Sequence, residues 1–187
     1  MGICLKEKMK FTKEDKIEIF ENAISWVIVL AMFIYGFGKI IQFQEAVDMN
    51  KTFAEMTGME LMWAFYSYSE SFVITLGVLE VLGGILILIK KTRLIGCLFT
   101  TTILVNVILQ DIFYGVHLGA LKAAILYQLL ILIIFWIHKG KMIASVKALL
   151  SLKKVQQTKA NNFTKLIIAF GLFVVFRILE YYITIKG

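Results

Sequence analysis

The polar side chains inside otherwise apolar stretches of this 187-residue chain that are candidates for chemistry are Lys39, Glu80, Asn106, Gln110, Asp111, Arg177 and Glu180. Charges in hydrocarbon are costly and rare, so in a membrane chain such residues carry whatever chemistry there is. Gly77, Glu80 and Gly84 are spaced i, i+3, i+7 and share one helical stripe. Small residues mark the faces where membrane helices approach closely, which places the Glu80 carboxylate inside a bundle. Thr102, Asn106 and Gln110, at i, i+4, i+8, form a second inward stripe. Groups of these types support three roles. They can act as interhelical glue, bind the polar head of a quinone or other lipid-like ligand, or line a path for protons or a small solute, with Glu80 as the ionisable group.

Depth sorts these residues. Counted from the basic flank of each span at about 1.5 Å per residue, Glu80 lies roughly 15 Å deep, Arg177 roughly 18 Å, Asn106 roughly 20 Å and Glu180 roughly 22 Å. Lys39 and Asp111 fall in a separate layer at roughly 27 Å. Arg177 matches Glu80 in depth and opposes it in sign. The alternative partner for Arg177 is Glu180, three residues on along its own helix. The expected ligand-holding set is therefore Glu80, Asn106, Lys39, Gln110 and Arg177.

Five apolar runs must position these side chains: Phe20 to Ile41, Ser71 to Ile89, Leu94 to Tyr114, Leu121 to Ile137 and Leu166 to Ile185. Each is long enough, as a helix, to cross a hydrocarbon core of about 30 Å. Composition agrees. Hydrophobic residues make up 59% and charged ones 18%, against about 45–50% and 25% in soluble domains. Mean hydropathy is +0.81. The expected fold class is all-α, a polytopic transmembrane bundle with a four-helix core and a fifth C-terminal span. Its expected parts are a basic N-terminal segment (1–19), the core (20–137), a basic amphipathic linker (138–165) and the last span (166–187). Fifteen Lys and Arg fall on the N-terminal side of this topology and four on the other, which predicts a cytoplasmic N-terminus and an outer C-terminus.

Two segments outside the spans have a readable character. Residues 42–70 carry Trp63, Phe65, Tyr66 and Tyr68, read as an aromatic belt at the outer interface, or else as a loop that folds back and closes a pocket. Residues 141–154 put Met142, Val146, Leu149 and Leu150 on one helical face, so anionic lipid is the expected partner of Lys147, Lys153 and Lys154. The net charge of +7 is no argument for nucleic acid, because the lysines sit between apolar runs rather than on a soluble face. Cys4 and Cys97 read as reduced, unpaired thiols. His117 and His138, about 30 Å apart along one helix and its flank, cannot share a metal. No zinc-protease motif, P-loop or nucleophile elbow is present, so a self-contained enzyme is not expected.

The four-span region resembles the DoxX-like family of small bacterial membrane proteins. The resemblance rests on Tyr35-Gly36-Phe37-Gly38-Lys39 closing the first span and on the run Trp63 to Ser69. It continues with Gly77-Val78-Leu79-Glu80-Val81-Leu82-Gly83-Gly84, the turn Lys90-Lys91-Thr92-Arg93, and Asn106. It covers roughly residues 20–137. It implies a four-helix bundle in a bacterial inner (plasma) membrane and, for some members, a setting beside membrane redox subunits that use a quinone. Gln110-Asp111, Gly115-Val116-His117 and the fifth span depart from the family pattern.

Overall fold

The computed structural model describes residues 11–43, 51–151 and 162–186. Among these the chain is all-helical: α1 (Lys13–Gln42), α2 (Gly58–Ser67), α3 (Glu70–Leu88), α4 (Arg93–Tyr114), α5 (Leu118–Ile137), α6 (Lys139–Leu150) and α7 (Asn162–Lys186). A short 3₁₀ turn, Phe53–Glu55, precedes α2. Helices α1, α3, α4, α5 and α7 are each long and apolar enough to cross a membrane, as the five runs predict. The chain is a multi-pass helical membrane protein in architecture.

The residues divide into two compact units, Met1–Met142 and Ile143–Gly187. In the first, α1 packs on α3, α3 on α4, α4 on α5, and α5 back on α1, closing a four-helix ring. Ile28, Met32, Ile87, Ile131 and Ile134 are fully buried along its axis. The α1–α3 contact is the closest. A Cβ placed on Gly77 would stand 2.5 Å from the Gly36 carbonyl oxygen, so only glycine lets these backbones meet. At the end of α4, Gly115 adopts φ 61°, the left-handed cap that L side chains resist.

Helix α1 begins well before its apolar run. The Thr12 hydroxyl accepts from the Asp15 backbone N–H at 3.1 Å, and the Asp15 carboxylate accepts from Thr12 N–H at 2.8 Å. This reciprocal box starts the helix at Lys13, inside the segment expected to precede the span. Residues 141–150 of the linker lie in α6, where Lys147 is exposed. Lys153, Lys154 and Cys4 lie outside the described residues.

The aromatic segment is more than a belt. Residues 58–67 form α2, which packs on α3 and α4. Phe65 and Tyr68 are exposed, but Met62 and Tyr66 are buried. A second capping box, Thr57 with Glu60, opens α2, and Lys51 pairs with Glu60. The Lys51 bond first, then the Thr57 bonds, hold the Glu60 carboxyl down at about 2, from an ordinary 4.5. A depressed carboxyl contributes stability above pH 4.5 that is lost as pH falls through about 2. The first turn of α2 and its Lys51 contact are therefore expected to loosen across that acid window and, in Glu60→Gln, to lose this step. Emission from Trp63, with Trp26 and Trp136 replaced by Phe, reads it. An identical acid profile in Glu60→Gln would show that Glu60 does not hold α2.

Candidate functional site

Helices α1 to α5 enclose a cavity of about 690 Å³ at the end of the bundle that carries α2 and the Gly115 turn. Its walls are mainly apolar and aromatic. Phe43 stacks on Tyr66 at 4.9 Å and meets Trp63 edge-on at 5.8 Å. Tyr35 meets Tyr127 edge-on at 6.3 Å. This combination, an apolar wall with few polar groups, is the usual build of a small-molecule site.

Glu80 sits in the wall at 3% exposure, on the α3 stripe that glycine spacing assigned to the interior. Its ion partner is Lys39, at 3.1 Å. This corrects the separation of Lys39 and Glu80 into different layers, and of the two partners left open for Arg177 it removes Glu80. Arg177 lies in the second unit, where it pairs with Glu180 on its own helix. Depth counting failed because it locates Cα atoms, whereas a lysine stem reaches about four carbons beyond its own. The path of that stem is visible. The missing Cβ of Gly77 would lie 3.7 Å from Lys39 Cβ, so the bare glycine leaves the groove along which the ammonium reaches one turn past it to Glu80. Such a largely buried pair stabilises only while both partners remain.

The α4 stripe also faces the cavity. Thr102, Asn106 and Gln110 all line it, and so does Asp111. The Gln110 amide donates to Tyr66 Oη and to Asn106 Oδ1, both at 2.6 Å. The first bond ties α2 to α4, and the second runs along α4. Burial first, then the Glu80 charge, pushes the Tyr66 phenol up, outweighing the Gln110 bond. Tyr66 therefore stays protonated. Four of the five sequence-predicted residues, Lys39, Glu80, Asn106 and Gln110, thus meet at one cavity; Arg177 takes its partner within its own helix. His117, read from the sequence as an interfacial residue, lines the cavity as well, and its Nδ1 caps α5 by accepting from Gly119 and Ala120.

A second polar cluster closes the opposite end. Arg93, 4% exposed, donates to Glu21 Oε1 at 2.8 Å, Asn22 Oδ1 at 3.0 Å and the Ile87 carbonyl at 3.1 Å. His138 Nε2 lies 3.1 Å from the same Glu21 oxygen. One guanidinium thus binds α1 to the last turn of α3, whose carbonyls lack helical partners. Sequence reasoning read Arg93 only as part of a basic turn. The pattern that could have exposed it is Glu21 and Asn22, adjacent polar residues at the start of an apolar run. Cys97, one turn along α4 from Arg93, is fully buried. No group of three or more His, Cys, Asp or Glu able to hold a metal occurs among the described residues.

The chain is 28% identical over 111 residues to the uncharacterized protein YwoB of Bacillus subtilis (strain 168), a match covering 58% of this chain and 70% of that protein. No protein-family model matches the chain, and no solved structure does.

Proposed function

We propose that this chain is a DoxX-like accessory protein of a bacterial plasma membrane that holds a lipid-like ligand, an isoprenoid quinone, beside membrane redox subunits. The observation that carries this reading is the cavity: aromatic and apolar walls around a buried Lys39–Glu80 pair, with amides from α4 beside it. An isoprenoid head fits polar groups of this kind, and its tail fits walls of this kind. The charge bias, fifteen basic residues against four, supports a cytoplasmic N-terminus and a cavity that faces the outer half of the membrane. The amphipathic pattern of residues 141–154 supports a seat for Lys147, Lys153 and Lys154 on anionic lipid.

Mass spectrometry of an organic extract from the detergent-purified protein tests it. The expected result is an isoprenoid quinone or its hydroquinone near one per chain, with retention of the reduced form in Glu80→Gln lower by about tenfold, the worth of one hydrogen bond to a charged group. An extract holding only bulk lipid would sink the reading. A second reading then stands, favoured by the way Lys39 and Glu80 bridge α1 and α3. In it the polar groups are packing devices of an assembly protein without a cofactor.

A further inference from the structure

Glu80 and Asp111 differ from the other polar groups of the cavity. They are 3% and 7% exposed, and both line the cavity. Each keeps one carboxylate oxygen, Glu80 Oε2 and Asp111 Oδ2, without a hydrogen-bond partner. A carboxylate oxygen only accepts, and leaving it buried and unpaired carries its full desolvation cost. The amides are better placed, since Gln110 already bonds Asn106 and Tyr66. Donors in the wall include Lys39, which bonds Glu80 Oε1, the Tyr35 and Tyr127 hydroxyls, and Trp63, whose buried Nε1 is unpartnered. Among the lining residues two carboxylates face one ammonium. Of the buried wall atoms without a partner among the described residues, two only accept and one donates.

We propose that this cavity selects ligands whose head group donates hydrogen bonds, and that of an isoprenoid quinone it holds the hydroquinone in preference to the quinone. The proposal rests on the ligand-binding reading above. A hydroquinone hydroxyl gives its hydrogen to a carboxylate oxygen and still accepts from Lys39 or Trp63. A quinone carbonyl accepts only, so it satisfies the donors and leaves both carboxylate oxygens stranded. Acidic heads, fatty-acid carboxylates and phosphates, bring further acceptors and no donor for these oxygens, and are disfavoured. An amphipathic amine offers the same donor chemistry from a different source, with attraction to the carboxylates added.

Three probes of similar apolar length separate these cases in calorimetric titrations of the full chain in detergent: a decyl hydroquinone kept reduced with dithionite, the matching decyl quinone, and decylamine. The expected result is hydroquinone binding at least about tenfold tighter than quinone, one charge-assisted hydrogen bond. In Glu80→Gln/Asp111→Asn the ratio should fall toward one, because an amide both donates and accepts. The ratio in the unaltered chain stands as a test even where that variant does not fold. Decylamine binding more tightly than the hydroquinone would support donor selection and assign the ammonium as its source. Quinone binding as tightly as hydroquinone would overturn the inference and leave the quinone reading intact. Binding of the amine alone would overturn the quinone reading and leave donor selection standing. Binding of none overturns both.

Discussion

Arg93→Leu is expected to destabilise the bundle by about 3–5 kcal/mol, the cost of removing one partner from a buried charge pair. Arg93 is 4% exposed and Glu21 9%. Without the guanidinium the Glu21 carboxylate keeps only His138, Asn22 loses its donor, and the Ile87 carbonyl at the end of α3 is left bare. A midpoint lowered by roughly 6–20 °C in a thermal-shift assay corresponds to that loss. The decisive comparison is with Arg93→Leu/Glu21→Leu. Removing both charges leaves no stranded ion, and apolar replacement of a whole buried pair is often neutral or better. The double variant should therefore recover most of the lost stability. If it melts no higher than Arg93→Leu, the cluster does not work as a charge pair.

The second large effect belongs to the α1–α3 contact. Gly77→Leu places a side chain where a Cβ alone would meet the Gly36 carbonyl at 2.5 Å. Backbone cannot yield as a side chain does, so the two helices must part, and overpacking of this kind costs about 1–3 kcal/mol or more. The same side chain fills the groove used by the Lys39 stem. Gly77→Leu should therefore weaken binding of the proposed ligand as well as stability. Gly38→Ala supplies the contrast: nothing lies within 4 Å of a Cβ there, and replacing a mid-helix glycine should gain about 0.5–1 kcal/mol. Equal melting of the two variants would contradict the role given to Gly77.

The spans were legible because hydrocarbon thickness fixes their length, and four of the five predicted starts fall within a few residues of the helices found. The exception is α1, where the Thr12–Asp15 box, a local signal unrelated to hydropathy, extends the helix seven residues upstream of Phe20. The Glu80 face was legible because glycine spacing reports which side of a helix packs. The Thr102–Asn106–Gln110 face was legible from period alone. Pairing was not. Lys39 and Glu80 belong to helices running in opposite directions, and a flexible stem closes a gap that residue counting leaves open. Arg93 escaped notice because a basic residue at the end of a span is read as a topology signal, and nothing in its neighbours announces that it turns inward. Helix α2 was hidden for a similar reason. Aromatic residues before a span fit an interface belt equally well, and what separates the two is burial of Met62 and Tyr66 against α3 and α4 with the Gln110–Tyr66 bond.

The burial of Cys97 beneath the Arg93 cluster makes that thiol a clock. Fully enclosed and one turn from the guanidinium, it meets a maleimide only when that end of the bundle comes apart. In a chain carrying Cys4→Ser, the rate of its alkylation counts those openings directly, in the native protein and without a denaturant. Ligand bound at the far end then becomes visible at this one as a slower clock, to the extent that the four helices open as a single unit.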